Sequence, residues 1–151
     1  MVKTLYSILH RSLDLTTKEL RNVSSANLNN EIRKFVNLLE VSNIQTRGPL
    51  ITKTIGTHFE NDELLFDYDI MIQLEKATKL KKFRVLESIT LKNCLYVHYE
   101  GIQEDFSYVQ KKLELYIWEN DLIATGEEII IHIESVDDMM IADVFRPVEK
   151  F

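Results

Sequence analysis

Cysteine, proline and glycine are all scarce in this sequence of 151 residues. The single cysteine, Cys94, excludes an internal disulfide and is typical of a protein in a reducing compartment. Two prolines and four glycines argue against long flexible linkers and against an all-β sandwich with many turns. No apolar run approaches the roughly 20 residues of a membrane-spanning helix, and the N-terminus does not resemble a signal peptide. We therefore expect a cytoplasmic protein that does not bind membranes.

Motifs for catalysis, metals and cofactors are also missing. The sequence has no Gly-x-Ser-x-Gly nucleophile motif and no glycine-rich phosphate loop. Each histidine stands alone, without a second His or Cys at the spacing that zinc sites use; the four are His10, His58, His98 and His132. Cys94 lies in an apolar run, where a buried, unreactive thiol is expected. We expect no catalytic residue, no metal and no cofactor.

The charge is distributed unevenly between the two halves of the chain. The formal net charge is −6, but residues 1–96 carry +3 and residues 97–151 carry −9. A uniformly basic face, the usual feature of proteins that bind nucleic acid, is absent. We therefore expect no binding to nucleic acid by this chain alone. The basic run 76–84 is interpreted as a solvated connector. The acidic half favours a cationic ligand or a basic partner, although it also serves solubility.

The stretch 94–122 has the clearest pattern. It predicts a strand from Cys94, a turn at Gly101 and an amphipathic helix over 102–119, whose apolar residues follow steps of three and four. The first half predicts a strand over 2–15, a helical turn where Thr16 and Glu19 form a capping box, and a helix over 28–39 that ends before Gly48. Two apolar runs, 50–59 and 64–74, then predict a hairpin.

The two halves show the same order of elements. Strand, helix, strand and strand occur in residues 1–75 and again in 85–151, on either side of the connector. The predicted fold is a single α+β domain of duplicated strand–helix–strand–strand units with pseudo-twofold symmetry. Its antiparallel sheet carries two helices on one face and a cleft between the halves on the other.

Side-chain alternation suggests which residues line the cleft. We expect the isoleucine face of the strand 128–134 to meet the helix, which would direct Glu128 and His132 into the cleft. Tyr96 and His98 share one face of their own strand, and Trp118 lies at the helix end. Aromatic groups and a carboxylate in an apolar cavity suit a flat or cationic organic ligand. In the alternative interpretation, Tyr96 and Trp118 belong to the core and the acids are solvated.

The second half resembles the gyrase-inhibitor-like (GyrI-like) small-molecule-binding domains, which also serve as effector-binding domains of multidrug-responsive bacterial transcription activators. The residues that carry the resemblance are 98–101 (HYEG), 117–120 (IWEN), Gly126 and 143–148 (DVFRPV). The resemblance implies a duplicated strand–helix–strand–strand fold that binds an apolar or cationic organic ligand. No helix-turn-helix precedes the domain, so the resemblance implies a sensor module rather than a complete activator.

One departure from the family pattern affects function. Drug-binding members, and a subgroup that resembles hydrolases, place a glutamate on the strand after the glycine, followed two residues later by an aromatic; here that strand reads EEIIIHIES. Three functions stay open: a ligand-binding domain without catalysis, an accessory or chaperone-like protein that binds another chain (for example in a bacterial secretion locus), and a hydrolase in which Glu128 or Glu134 activates water.

Overall fold

The computed structural model contains two strand-rich halves, each with one long helix. It describes the backbone of residues 3–5, 9–44, 46–74, 84–91 and 93–150, and the side chains of 17–24, 26–44, 49–72 and 93–149. The strands are β1 (Lys3–Leu5), β2 (Leu9–Ser24), β3 (Thr46–Glu60), β4 (Glu63–Leu74), β5 (Arg84–Leu91), β6 (Cys94–Ile102), β7 (Ile123–Ala124), β8 (Glu128–Val136) and β9 (Met139–Lys150); the helices are α1 (Ser25–Val41) and α2 (Ser107–Glu119), the latter preceded by a 3₁₀ turn (Gln103–Phe106).

Both helices end in the same way, and this supports the internal repeat. After α1, Asn43 adopts a left-handed φ of 55° and the Ile44 N–H donates to the Leu39 carbonyl at 3.0 Å. After α2, Asp121 has a φ of 52° and the Leu122 N–H donates to the Ile117 carbonyl at 3.0 Å. These are Schellman ends, which satisfy carbonyls that the helix leaves unpaired. In each half the residue after the left-handed one packs into the core of its own half.

The sheet is antiparallel and its strand order reflects the repeat. The hydrogen-bonded order is β1-β6-β9-β8-β3-β4-β2-β5, with β7 paired to β9. The halves meet where β3 pairs with β8, and Thr52 lies opposite Ile130 there. The first strand of each half pairs with a strand of the other half. Strand β1 pairs with β6 of the second half, and β5 pairs with β2 of the first. The predicted α+β fold with pseudo-twofold symmetry is therefore confirmed.

Strand exchange makes the sheet curve strongly. Leu5 pairs with Cys94 at one edge, and Leu9 pairs with Leu91 at the other. Only four Cα–Cα steps separate Leu5 from Leu9, which spans at most about 15 Å. Eight flat strands would hold the outer two about 34 Å apart, at about 4.8 Å per interval. The two edges therefore approach each other at this end of the molecule.

Both helices pack on the same face of the sheet, which we call the helix face. Phe35 and Leu39 of α1 pack with Ile70 of β4, and Leu113 of α2 packs with Ile130 of β8. Thr52 lies opposite both Ile70 and Ile130 in register, so these two packing sites are on one side of the sheet. We call the other side the inner face, because the curved sheet closes around it.

Two local predictions were wrong. Thr16 and Glu19 lie inside β2 and start no helical turn, because antiparallel pairing with β4 on one side and, at Thr16, with β5 on the other outweighs a local capping pattern. Gly101 continues β6, opposite Met140, and forms no turn. The first helix ends before Gly48, as predicted; its last residue is Val41, and Asn43 supplies the left-handed residue that follows it. The connector 76–84 falls largely outside the described residues. Among those residues, no helix has the length and hydropathy to cross a membrane.

Candidate functional site

The inner face carries a buried apolar cluster, although none of the described helices packs on it. Its members come from strands of both halves: Ile51, Met71, Cys94, Ile129 and Phe145, with Tyr96 and Ile131 partly buried beside them. The Tyr96 and Phe145 rings lie 5.2 Å apart between centroids, at 30° to each other. This apolar patch spans the junction between the halves, which is where the cleft was predicted.

A single row of side chains crosses this face from one half to the other. Cross-strand pairing places its members opposite one another in the order His98, Asp143, Ile131, Ile51, Met71 and Thr17. We call this the inner row. Because paired residues share a face, the row has a polar end in the second half, three apolar residues in the middle and a hydroxyl at the far end. Thr17 Oγ1 is buried and has no hydrogen-bond partner within the described part of the chain.

Asp143 is the hub of a hydrogen-bonded cluster at the polar end. Its Oδ1 accepts a hydrogen bond from the Tyr96 hydroxyl at 2.9 Å and lies 2.6 Å from His98 Nδ1. The other ring nitrogen of His98, Nε2, lies 3.0 Å from Glu100 Oε1. We call these four residues the Asp143 cluster. Two carboxylates and one imidazole give it a charge of −1 when His98 is protonated and −2 when it is neutral.

The surroundings raise the pKa values of His98 and Tyr96 in this cluster and of the nearby Cys94 thiol. Hydrogen bonds to Glu100 and then to Asp143 raise the pKa of His98 above the usual 6.5. Burial, together with its bond to the Asp143 carboxylate, raises the pKa of Tyr96 to about 12, so this hydroxyl stays protonated and donates. Burial raises the pKa of the Cys94 thiol to about 11, which leaves it protonated and unreactive at neutral pH.

The prediction for the faces of β8 was wrong. Glu128, Ile130 and His132 lie on the helix face, and Ile129 and Ile131 lie on the inner face. The reason is that both faces of β8 carry buried apolar residues, so an isoleucine-rich face does not by itself identify the side that meets the helix. The inner face is the more apolar of the two at this point, because it joins the apolar patches of both halves.

Glu128 belongs to a polar group beneath α2. Its Oε1 accepts a hydrogen bond from Gln110 Nε2 at 2.8 Å, and its Oε2 lies 3.6 Å from a guanidinium nitrogen of Arg146. Arg146 also pairs with Glu114. Glu128 is 8% exposed, so its charge requires this guanidinium partner. These contacts fasten α2 to β8 and β9.

The other two predicted residues also lie away from the inner face. His132 Nε2 is 3.0 Å from Thr52 Oγ1 on the helix face, and burial lowers the pKa of this imidazole. Trp118 is 76% exposed on the outer side of α2, so it does not close the core. Of the five predicted ligand-binding residues, the structure brings together Tyr96 and His98 only.

Sequence reasoning missed the residue around which the cluster is arranged. Asp143 alternates with apolar neighbours in IADVF, the pattern of a carboxylate on one face of a strand. That pattern was available from the sequence. Its pairing with Tyr96 and His98 was not, because it depends on the register between β6 and β9.

Glu128 can be tested as a structural residue. We expect Glu128→Gln to lower the free energy of unfolding by about 1–3 kcal/mol in urea denaturation, because Arg146 loses a buried counter-charge but keeps Glu114. Glu114→Gln, at a carboxylate that is 59% exposed, should change it by less than about 0.5 kcal/mol. Equal effects of the two variants would contradict this assignment, and a loss of ligand affinity in Glu128→Gln would restore Glu128 as a binding residue.

The pKa values of the exposed His98 and the partly buried His132 should be shifted in opposite directions. In NMR titrations the midpoint of His98 should lie above 6.5 and that of His132 below it. The raised pKa of His98 stabilises the fold below the unfolded-state pKa, and this contribution is lost as pH rises through the folded-state value. The lowered pKa of His132 has the opposite effect on stability. Stability is lost as pH falls, because protonation then places a charge on a partly buried ring. Glu100→Gln should lower the His98 midpoint and leave His132 unchanged; coincident midpoints would contradict the geometry.

Solved structures share this fold, although no family model and no curated protein sequence matches the chain. The crystal structure of the EcmrR C-terminal domain has a TM-score of 0.65 and 14% identity, covering 98% of this chain and 99% of that one. EcmrR in its DNA complex, from a cryo-EM structure, has a TM-score of 0.65 and 13% identity; the match covers 99% of this chain and 58% of that one. SAV2435 bound to tetraphenylphosphonium has a TM-score of 0.50 and 14% identity, with coverages of 99% and 93%. At these identities the similarity shows a common fold, and the fold expected from the GyrI-like resemblance is confirmed.

Proposed function

We propose that this chain binds a small organic cation with an apolar or aromatic body on the inner face of the sheet. The observation that carries the proposal is the inner row, in which Ile131, Ile51 and Met71 form an apolar floor next to the Asp143 carboxylate. A ligand body would rest on the floor and on the paired rings of Tyr96 and Phe145. Its positive charge would face Asp143, where burial strengthens the attraction.

Asp143 takes the place of the glutamate that the family resemblance expects. The strand after Gly126 presents Ile129 and Ile131 to the inner face and carries no Glu-x-aromatic pair. Asp143 lies directly opposite Ile131 on the neighbouring strand, so a carboxylate still reaches this region of the face. SAV2435, a protein of the same fold, has been solved with tetraphenylphosphonium, an aromatic cation. This supports the choice of ligand class.

Two further features of the inner row fit a ligand at this position. The buried Thr17 hydroxyl lacks a partner in the described residues, and a polar group on the ligand would satisfy it. Met71, in the middle of the row, has a flexible thioether side chain that can adjust to ligands of different shapes. A domain that binds varied organic cations needs this adaptability.

The hydrolase alternative requires a carboxylate that can activate water in a pocket. Glu128 is buried, but Gln110 and Arg146 occupy its oxygens, and Glu134 is exposed. We therefore propose binding without catalysis. The alternative function, binding of another protein chain, is tested by the same ligand experiments. If no organic cation binds, this alternative is favoured.

Calorimetric titration with tetraphenylphosphonium and with neutral triphenylphosphine oxide tests the proposal. We expect the cation to bind with 1:1 stoichiometry at the inner face and to bind at least tenfold more tightly than the neutral compound at pH 8.5. A ligand that binds only the folded state also raises its stability, by about 2.7 kcal/mol at one hundred times the dissociation constant. Equal affinity for the two compounds, or no binding of either, would contradict the proposal.

The affinity for cations should depend on pH through His98. Protonated His98 already neutralises Asp143 at 2.6 Å, so the bound cation must compete with it. As pH rises through the raised pKa of His98, this competition ends and cation affinity should increase several-fold. His98→Gln should remove most of this pH dependence, whereas His58→Gln, at an exposed histidine of β3, should not. A cation affinity that is constant from pH 5.5 to 8.5 would contradict this role.

A further inference from the structure

The second half has a separate surface depression beyond the Asp143 cluster. Its volume is about 230 Å³, and it lies at the end of β6, β8 and β9 where these strands reach the β8–β9 turn; it is lined by Glu100, Gly101, Glu134, Val136, Met139, Met140 and Ile141. It shares Glu100 with the Asp143 cluster but none of the residues of the inner apolar cluster. The proposed function does not use it.

The arrangement of its walls follows from the strand register. Ile141 pairs with Glu100 on one side and with Glu134 on the other, so a carboxylate flanks each side of an apolar floor. Adjacent strands are about 4.8 Å apart, which separates the two acidic residues by about 10 Å across the floor. Val136 and Met139, a cross-strand pair, form an apolar wall and are 56% and 50% exposed.

The charges of this depression are poorly balanced. Within the described part of the chain, Glu100 has one cationic partner, His98, at 3.0 Å. Glu134 has no ion-pair partner among the residues whose side chains are described. The depression is therefore concave, apolar at its base and negatively charged at both rims. A cation with an apolar body would cover Ile141 and Met139 and place its charge between the two carboxylates.

We propose that this depression is a second subsite for small organic cations, distinct from the inner row. Its volume is below the 300–1,000 Å³ that is usual for drug-sized ligands, so it fits a single ring or a short alkyl chain that carries an ammonium group. Larger cations such as tetraphenylphosphonium require the inner face. The depression shares Glu100 with the Asp143 cluster, but it contains no residue of the inner row.

Methionine methyl NMR distinguishes the two sites in the intact chain. The methionines are Met1, Met71, Met139 and Met140, of which Met71 reports on the inner row and Met139 on the depression. Titration with benzyltrimethylammonium should shift the Met139 signal saturably, while benzyl alcohol at the same concentrations should shift it little. The signal is assigned with Met139→Leu.

Glu134→Gln should weaken this binding at least fivefold. Asp137→Asn is the matched control, because it removes one charge three residues away in the β8–β9 turn, and asparagine tolerates the left-handed φ of 55° found there. We expect less than a twofold effect from the control. Equal effects of the two variants would mean that the overall negative charge of the acidic half, rather than a local contact with Glu134, attracts the cation. This result would overturn the subsite. A shift of Met71 alone would overturn it as well and leave the inner-face proposal intact, whereas a shift of Met139 with no response of Met71 to any cation would uphold it.

Discussion

Asp143→Asn is expected to weaken tetraphenylphosphonium binding at least tenfold, which corresponds to about 1.4 kcal/mol. The asparagine keeps an oxygen that can accept the hydrogen bond of the Tyr96 hydroxyl, so the fold of the cluster should persist. It removes the one carboxylate of the inner row, and an attraction that burial strengthens is lost. Binding of neutral triphenylphosphine oxide should change less than twofold, because the apolar floor is unaltered.

Asp137→Asn again supplies the control for net charge. It alters the charge of the chain by the same amount but lies at the β8–β9 turn, outside the inner row. Parallel calorimetric titrations of the two variants separate a local contact from the long-range field of the acidic half. If both variants weakened cation binding equally, or if Asp143→Asn weakened the neutral compound as much as the cation, Asp143 would not be the counter-charge.

Leu113→Ala should have the largest effect on stability. Leu113 is fully buried in the centre of α2, among the side chains of β6, β8 and β9. Truncation of a buried leucine removes apolar contacts and leaves a cavity, which costs about 2–5 kcal/mol. We expect a loss of about 3 kcal/mol and, for a chain of this length, a fall in Tm of about 6–12 °C.

The neighbouring Leu115 offers a matched comparison in the same helix. It is 53% exposed, so Leu115→Ala removes the same atoms from a site that already contacts water and should change stability by less than about 0.5 kcal/mol. Urea denaturation of both variants measures the difference. Comparable losses would mean that α2 packs on the sheet through a different face from the one described.

The architecture could be predicted well from the sequence because local patterns indicate most of its elements. The apolar stripes of α1 and α2 and the polar turns between paired strands are short-range signals, and they occur in the same order in both halves. The repeat could be inferred from this shared order. The similarity of the helix ends at Asn43 and Asp121 became visible only in the backbone geometry.

Long-range pairing was not predictable from these patterns. The exchange of β1 and β5 between the halves depends on which edge each strand reaches, and no local periodicity encodes that choice. The faces of β8 were assigned in reverse because buried or partly buried isoleucines occur on both of its faces. This one error placed Glu128 and His132 in the cleft, whereas Asp143 was missed because its partners depend on the register between β6 and β9.

The site also shows how strand register determines which residues come together. One strand pair, β6 with β9, brings Asp143 opposite His98, while the next pair brings it opposite Ile131. A carboxylate at the end of an apolar row results from these two pairings together. Neither strand alone contains a recognisable binding motif.

The central claim is that an organic cation binds on the inner face, and intermolecular NOEs test it most directly. With methyl-labelled isoleucine and methionine, the phenyl protons of bound tetraphenylphosphonium should give NOEs to Met71, Ile51 and Ile131, which form the apolar floor. Exposed methyl groups elsewhere, such as those of Ile123, should give none. If NOEs at saturating ligand involved exposed residues only, and none involved the methyl groups of the apolar floor, binding on the inner face would be contradicted.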